Sequence, residues 1–477
     1  MKQHLLNKTN LKRKQVYFMY QINFHSPISI YFIGIGGISM SGLAEILQKE
    51  CFSISGSDEK ESALTKHLEK LGITIFYQHS AKNLSHKPDL VVYTAAVKGN
   101  NPELLEAKRL QIPVLTRAQL LGQIMLNYKN SIGISGTHGK TTTTSMISEI
   151  FLDNELDPTI SVGGILDRIG GNIYIGNSDY FITEACEYTN SFLSLYPKIG
   201  IILNICADHL DFFKDLEDIR NSFHQYAKNI SPDGCLILNS AIENWEMFLK
   251  GVDCKVITFG LKENDDYYAD HISYDNFGHP SYDLIIKGKK MAHITLHVLG
   301  EHNILNSLAA CAAAYELGIS PDKIAKGLAS YLGTERRFQI KGTQNGITIV
   351  DDYAHHPDEI QVTLKTAKNY PHNKIWCVFQ PHTYSRTKAL LKDFAKALSF
   401  ADHVVLADIY PARETDTLGI SSKDLQEELK KIGKESFYFP SFEEIENFLI
   451  KNCVHGDLLI TMGAGNIVNV GENLLKQ

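Results

Sequence analysis

The chain has 477 residues, which is too long for one hydrophobic core and predicts about two to four domains. Its 44% hydrophobic and 21% charged residues are typical of globular proteins, and the net charge of -7 argues against nucleic-acid or membrane-surface binding. Eight scattered cysteines form no CxxC pair, and no apolar run approaches the length of a membrane helix. These features indicate a protein of the reducing cytoplasm.

The first eighteen residues carry basic side chains, among them Lys8, Lys12, Arg13 and Lys14, but lack the apolar segment of a secretory signal. We expect residues 1–18 to form a disordered extension. Organised sequence begins only after Met19, which we hypothesise to be the natural start. N-terminal sequencing of the native protein tests this start.

The first domain is expected to span residues 19–127 and to be Rossmann-like. An apolar strand at 28–33 runs into a glycine turn and then a helix, which is the order that opens a parallel α/β unit. Asp58 follows a second strand at 52–56, where it is suited to bond a ribose. Both NAD and a UDP-sugar present a ribose and a diphosphate to such a turn, so the spacing leaves the two open. The glycines expected to bind the ligand are Gly34, Gly36 and Gly37.

The central domain, residues 128–333, contains the strongest signal in the sequence. A strand at 131–135 leads directly into a glycine loop that opens a helix, so backbone N–H groups and the helix dipole can bind phosphate. Lys140 can reach the β- and γ-phosphates of ATP, and the Thr141 hydroxyl can bind Mg²⁺. The spacing differs from GxxxxGK[ST] because Gly133 lies seven positions before Lys140, one more than in that pattern. The expected nucleotide-binding residues are Gly136, Thr137, His138, Gly139, Lys140, Thr141 and Thr142.

The rest of the central domain is expected to be a mostly parallel sheet. An antiparallel addition is expected from about 255 to 298, where short alternating strands appear. Glu184 and His209 follow apolar strands, at the edge where parallel sheets bind ligands. A carboxylate and an imidazole there suit a divalent ion next to the phosphates. The expected metal ligands are Thr141, Glu184 and His209.

The third domain, residues 334–477, is also expected to be Rossmann-like, because helices alternate with apolar strands at 347–350, 375–379, 403–406 and 458–460. Polar motifs follow several of these strands, so they are expected to share one rim. Arginine at such a rim suits bidentate binding of a carboxylate or phosphate.

Together these motifs resemble the Mur ligase family over nearly the whole chain after Met19. The resemblance implies three α/β domains and ATP-dependent joining of L-alanine to the lactoyl carboxylate of UDP-N-acetylmuramate through an acyl phosphate. It places the chain in peptidoglycan precursor synthesis, and so in cell-wall biogenesis, cell shape and cell division. It further implies small-molecule substrates, no nucleic-acid or membrane partner, and a monomer or weak homodimer. The segments that carry it are 34–42, 55–58, 136–144, 184–188, 207–211, 300–303, 336–338 and 351–357.

The family layout also implies roles for individual positions. The first glycine turn would hold the UDP group with Asp58 near the nucleoside, while His302 and Asn303 would contact the ribose and adenine of ATP. From the third domain, Arg337 would reach the ATP phosphates. The remaining implied roles are Asp351 near the ribose or metal, and His355 and Arg386 placing the amino acid. The implied catalytic residues are Lys140, Glu184, Arg337 and His355.

Two departures from the family pattern bear on these roles. Cys206 stands where glutamate is expected, which removes a carboxylate near the metal, and Thr383 stands where arginine is common, which leaves more of the carboxylate recognition to Arg386. Some wider relatives hold a metal through a carbamylated lysine. No equivalent is assigned here, since Lys214 comes too early and Lys228 too late.

Three alternatives remain open from the sequence. A sister ligase that attaches a preformed peptide to the same UDP-sugar would share most motifs and differ in the amino-acid pocket. A nicotinamide-dependent dehydrogenase would leave the phosphate loop and third domain unexplained, and a non-catalytic nucleotide-binding regulator would not need the whole polar set. Phosphate release from ATP with different amine substrates separates all of them.

Overall fold

The computed structural model describes residues 21–210, 212–412 and 414–476. They form three α/β regions, each built on its own sheet, which confirms the fold class expected from the sequence. The extension expected at 1–18 and the start at Met19 lie outside the described residues. None of the helices within the described ranges is both long and apolar enough to cross a membrane.

The first region is a five-stranded parallel sheet with short helices. Its strands are β1 (Ser29–Ile33), β2 (Ser53–Ser57), β3 (Thr74–Phe76), β4 (Leu90–Tyr93) and β5 (Val114–Thr116). Its helices are α1 (Ile38–Lys49), α2 (Ala63–Lys70), α3 (Pro102–Arg109) and α4 (Arg117–Met125). The strand order β3-β2-β1-β4-β5 puts β1, with its glycine turn, in the centre of the sheet.

The central region is a ten-stranded sheet whose middle strands are parallel. Its strands are β6 (Asn130–Ser135), β7 (Thr159–Leu166), β8 (Gly171–Tyr174), β9 (Tyr180–Glu184), β10 (Ile199–Ile202), β11 (Cys235–Asn239), β12 (Lys255–Gly260), β13 (Tyr267–Tyr274), β14 (Pro280–Ile286) and β15 (Lys289–Thr295). Its helices are α5 (Lys140–Asp153), α6 (Leu216–Lys228), α7 (Glu301–Glu316) and α8 (Pro321–Ala329). The order is β15-β14-β13-β12-β11-β10-β6-β9-β7-β8, so β6 and its loop lie well inside the sheet.

The antiparallel addition is smaller than the sequence indicated. Strand β12 pairs in parallel with both β11 and β13, and antiparallel pairing runs only from β13 through β15. Alternating polarity marks a half-buried strand but does not encode the direction of its neighbour, so the change in pattern at 255 was assigned too early. A second antiparallel pair, β7 with β8, lies at the opposite edge and was not expected.

The third region is a six-stranded sheet in the order β16-β17-β21-β18-β19-β20, parallel except for the edge strand β16. Its strands are β16 (Gln339–Gln344), β17 (Ile347–Asp352), β18 (Ile375–Phe379), β19 (His403–Leu406), β20 (Ser436–Tyr438) and β21 (Leu458–Met462). Its helices are α9 (Pro357–Ala367), α10 (Tyr384–Ala389), α11 (Leu391–Leu398), α12 (Ser422–Lys431), α13 (Phe442–Asn452) and α14 (Val468–Leu474).

The buried apolar clusters do not follow the division of the chain into three sheets. One continuous cluster joins the first region to one face of the central sheet, and it includes Ile124 of α4 and Phe181 of β9. The stacked rings of Tyr128 and Phe181, 4.9 Å apart, lie in this junction. The buried clusters of the third region contain only its own residues among those the structure describes. The first two regions therefore share a core, and the third meets the central one through ion pairs and a few ring contacts such as Phe277 with Tyr370.

Candidate active site

The glycine loop between β6 and α5 adopts a conformation that two of its glycines make possible. Gly136 has φ 143° and Gly139 has φ 85°, in the range that side chains disfavour. A Cβ at Gly139 would also lie 2.6 Å from the Asn306 amide oxygen. The loop and the first turn of α5 thus lie close to helix α7.

Asn204, just after β10, holds the loop in place. Its side-chain oxygen accepts a hydrogen bond from the His138 N–H at 2.8 Å, and its amide donates to the His138 carbonyl at 2.9 Å. The Thr137 N–H donates to the Asn204 carbonyl at 3.1 Å. Asn204 was not among the residues expected at the site, although its position after an apolar strand was a signal that could have identified it.

Lys140 is fixed by a nearly buried ion pair. Its ammonium lies 2.9 Å from the Glu187 carboxylate, with 15% and 3% of the two side chains exposed, and it also donates to the carbonyls of Gly136 and Thr137. Burial disfavours the charged form, but the charge of Glu187 outweighs it and keeps the pKa of Lys140 above its ordinary value. Lys140 is therefore a permanent cation at the end of the phosphate loop.

The three expected metal ligands lie around this ion pair on separate segments. Thr141 is in the first turn of α5, and Glu184 ends β9, where one carboxylate oxygen accepts the N–H of Gly163 at 2.5 Å. The His209 ring packs 4.5 Å from the ring of Tyr188, and its Nε2 lies 3.9 Å from the Glu187 carboxylate. Asp211, quoted with His209 in the sequence motif, lies outside the described residues.

A cavity of about 310 Å³ separates the phosphate loop from the third region. Six of the residues expected to bind ATP line it: His138, Gly139, Thr142, His302, Asn303 and Arg337. Burial, with a contribution from the charge of Arg337, lowers the pKa of His302 to about 4, so its ring is neutral. A neutral ring and an amide beside an apolar wall suit a nucleoside, while the loop and Arg337 suit its phosphates.

The structure places Asp352, rather than the expected Asp351, at this cavity. Asp351 is fully buried, where it accepts hydrogen bonds from Arg336 at 2.9 Å and from the Thr461 hydroxyl at 2.7 Å. Asp352 accepts the N–H groups of Phe338 and Ala354, and burial raises its pKa to about 6. Asp352, and not Asp351, therefore faces the cavity where the ribose or metal was expected.

His355 and Arg386 come together on the rim of the third region, opposite Asp208 of the central one. The Arg386 guanidinium lies 3.6 Å from the Asp208 carboxylate and 3.3 Å from Nδ1 of His382. The rings of His355 and His382 are 5.8 Å apart. Burial lowers the pKa of His355. Thr383, the departure noted in the sequence, caps helix α10 by accepting the Arg386 N–H.

A second cavity, of about 340 Å³, lies between the first and central regions. Ser39 of α1 and Arg117 of α4 line it from one side, and Glu184 and Cys186 line it from the other. The Arg117 guanidinium donates to the Ser39 hydroxyl at 3.1 Å, and burial lowers its pKa. Arg117 was not among the expected site residues, because a lone arginine at a helix start carries no motif.

The first glycine turn ends at Gly37, and the next two residues, Ile38 and Ser39, line this second cavity. Asp58 accepts the N–H of Gly36 at 2.8 Å, and the N–H groups of Gly34 and Ile35 donate to the Ser57 carbonyl. The structure thus brings Asp58 to the turn, as expected for a residue near the nucleoside, and gives it a bracing contact as well. Gly37 is the N-cap residue of helix α1.

Comparisons with known proteins agree with this architecture. Residues 29–129 match the Mur ligase family catalytic domain, residues 134–314 the Mur ligase middle domain, and residues 336–465 the Mur ligase glutamate ligase domain. The UDP-N-acetylmuramate–L-alanine ligase of Lachnospira eligens is 59% identical over 459 residues, which cover 96% of this chain and 100% of that protein.

Two solved structures have the same fold over nearly the whole chain. The UDP-N-acetylmuramate–alanine ligase of Thermotoga maritima has a TM-score of 0.76 and 31% identity, covering 94% of this chain and 98% of that one. A murein peptide ligase from Psychrobacter arcticus has a TM-score of 0.67 with the same coverage, and its 24% identity supports the fold alone. The chain therefore belongs to the Mur ligase family.

Proposed function

We propose that the protein joins L-alanine to the lactoyl carboxylate of UDP-N-acetylmuramate, with conversion of ATP to ADP and phosphate, in peptidoglycan precursor synthesis. The observation that carries the proposal is the pair of cavities lined by the central region, one shared with the third region and the other with the first. One adjoins the phosphate loop, and the other adjoins the first glycine turn. The relative from Lachnospira eligens, which bears the name of this activity, supports the same substrates.

The first chemical step we propose is phosphorylation of the sugar-borne carboxylate. A carboxylate oxygen attacks the γ-phosphorus of ATP, and the bond to the bridging oxygen breaks to release ADP. Lys140, from the loop, and Arg337, from across the cleft, stabilise negative charge on the transferring group. Both cations are held by the protein before substrates bind, so little reorganisation is needed.

Mg²⁺ fits the proposed site, where Thr141, Glu184 and His209 would hold it. The main-chain N–H of Gly163 orients the Glu184 carboxylate, and a Cβ at Gly163 would lie only 2.8 Å from both of its oxygens. Glycine at position 163 thus keeps the space beside this carboxylate open, and any side chain at that position would fill it. When bound there, Mg²⁺ neutralises charge on the phosphoryl oxygens.

The second step we propose is attack of the alanine amine on the acyl phosphate, with phosphate as the leaving group. Arg386 suits the carboxylate of the incoming amino acid and Asp208 suits its ammonium group, since the two opposite charges lie 3.6 Å apart. His355, neutral because burial lowers its pKa, can accept the proton that the amine loses. The third region covers the cleft and excludes water, which would hydrolyse the acyl phosphate.

One assay tests this function against the sister ligase. Phosphate release from ATP is measured with UDP-N-acetylmuramate and, in turn, L-alanine, glycine, L-serine and a peptide that begins with L-alanine. We expect the highest kcat/KM with L-alanine and no turnover without the UDP-sugar. A preference for the peptide would show that the protein is the peptide-attaching ligase instead. A monomer or weak homodimer stays a prediction, which light scattering tests.

A further inference from the structure

Three metal-ligating side chains meet where the central and third regions face each other. His138 comes from the phosphate loop, Cys206 follows β10, and Asp358 lies in the first turn of α9. One donor atom from each of the three lies within 4.8 Å of the other two. An imidazole, a thiol and a carboxylate form a donor set that zinc-like cations prefer over Mg²⁺.

The His138 ring is oriented as a metal ligand would be. Its Nδ1 lies 3.1 Å from the Glu359 carboxylate, while its Nε2 is buried and has no hydrogen-bond partner among the described residues. A histidine that binds metal through one nitrogen usually has its other nitrogen bonded to a carboxylate or carbonyl, which fixes the tautomer. Glu359 is placed to do this, and it is itself held by the N–H groups of His355 and His356.

Negative charge from two carboxylates lies at this place. Glu359 lies 3.1 Å from Nδ1 of His138, and the Asp358 carboxylate is itself one of the three donors. Asp358 also lies 3.6 Å from His356, whose ring centroid is 5.4 Å from that of His138. The two carboxylates can therefore compensate the charge of a divalent cation bound there.

We propose that His138, Cys206 and Asp358 form a site for Zn²⁺, or a cation of the same chemistry, that connects the phosphate loop to helix α9. In a tetrahedral zinc site, donor atoms lie roughly 3.3–3.8 Å apart, so a closing movement of about 1 Å completes the geometry. The thiol loses its proton as the sulfur–metal bond forms. Three protein ligands leave the fourth position to water.

This site is separate from the proposed Mg²⁺ site, and a cation bound there affects the entry of ATP. His138 and Asp358 both line the nucleotide cavity, one on each side, so a cation bound between them holds the cavity walls together. Zn²⁺ then hinders the entry of ATP. The thiol that gives the site its preference for zinc is Cys206, at the position where the family pattern has glutamate.

Zinc titration of the full chain, without nucleotide, tests the proposal by calorimetry. The wild-type protein is expected to bind one equivalent of Zn²⁺. Cys206→Ser and Asp358→Asn are each expected to weaken binding at least tenfold, because each removes one of three ligands. Cys51→Ser is the matched control, since Cys51 is an exposed cysteine of the first region, and it is expected to bind as the wild type does.

A second measurement reports the sulfur ligand directly. Co²⁺ in place of Zn²⁺ is expected to give a thiolate-to-cobalt absorption band with the wild type and with Cys51→Ser, and to lose that band with Cys206→Ser. Circular dichroism checks that each variant is folded, and Asp358→Asn, at an exposed helix position, is expected to be folded in any case. Unchanged zinc affinity in Cys206→Ser or loss of binding in Cys51→Ser would overturn the site. These readouts need no turnover, so they are independent of the proposed function.

Discussion

Lys140 and Glu187 show how closely binding and stability are linked at this site. The two charges are nearly buried, and each compensates the other for the water it has lost. Removal of either partner leaves the other charge nearly buried and without its ion pair. A substitution at Lys140 is therefore expected to affect both phosphate binding and the free energy of unfolding.

We expect Lys140→Ala to lower ATP-dependent phosphate release by at least a hundredfold, because the cation that faces the transferring phosphoryl group is lost. The buried Glu187 left alone should also cost about 3–5 kcal/mol of stability. Phosphate release and thermal denaturation measure the two effects. Lys140→Ala with Glu187→Gln is the control, which should recover stability without recovering activity. Near-normal turnover in Lys140→Ala would contradict the role of the loop.

His355 gives a prediction for the pH dependence of the reaction. Its pKa is lowered chiefly by burial and further by Arg386, while Glu359 acts in the opposite direction. The neutral ring is the form that accepts a proton, so activity rises with pH through this pKa, which lies below the ordinary histidine value. We expect the acid limb of kcat/KM for L-alanine to be centred below pH 6.5 and to be absent in His355→Gln. A limb centred above pH 6.5 that disappears in His355→Gln would show a histidine that is not desolvated.

At the scale of single residues, the sequence identified residues that belong to a compact motif. It did not identify residues whose place in the site depends on which face of a sheet the side chain occupies. Gly139, His302 and Arg337 were expected and line the cavity beside the phosphate loop. Asp351 and Asp352 are consecutive in β17, so their side chains point to opposite faces of the sheet. The sequence does not state which face meets the cleft, and the expectation fell on the wrong one.

At the scale of elements, the phosphate loop depends on a neighbour outside its own motif. Asn204 makes two side-chain hydrogen bonds to the backbone of His138, and no other strand end contributes as many to the loop among the described residues. These bonds set the direction of the loop N–H groups. The shape of the loop is therefore determined by β10 as well as by its glycines.

Asn204→Ala is expected to raise the KM for ATP by roughly thirtyfold, since two hydrogen bonds of about 1 kcal/mol each that order the loop are lost. Steady-state kinetics at varied ATP measures this change. Asn154→Ala, at the far end of α5, is the control, because Asn154 bonds only to carbonyls away from the loop. An unchanged KM in Asn204→Ala would mean that the glycines alone hold the loop.

The strands that the sequence located well are the buried parallel ones, whose apolar runs are continuous. Strands β5 and β20 have three residues each, too few for periodicity to be visible, and neither was expected. The β7–β8 pair was missed because the glycines in β7 interrupt its pattern. Length and burial thus decided which elements could be read from the sequence.

For the whole molecule, one contact that crosses the cleft is between His138 and Glu359. It connects the phosphate loop to helix α9 across the two regions, and the same Glu359 carboxylate accepts the N–H groups of His355 and His356. One side chain thus links the ATP side of the cleft to the amine side. No sequence pattern places residues 221 positions apart side by side.

We expect Glu359→Gln to lower kcat by roughly tenfold, since an amide replaces a charged acceptor and weakens each of these hydrogen bonds by about 1 kcal/mol or more. Small-angle scattering should show a larger radius of gyration with ATP bound than in the wild type. Glu443→Gln, an exposed position of α13, is the control and should change neither quantity. Wild-type kinetics in Glu359→Gln would show that this contact does not support turnover.

The continuous apolar cluster between the first region and the central sheet has a consequence for how the protein responds to heat. Two bodies that share a core cannot lose it separately, whereas the third region keeps its own. Scanning calorimetry without ATP should therefore record two transitions, one for residues of the third sheet and one for the other two sheets together. ATP, bound where the two units face each other, should bring the transitions closer, since its binding favours the state in which both are folded. A single transition in the ligand-free protein would show that the polar contacts across the cleft are as cooperative as the core.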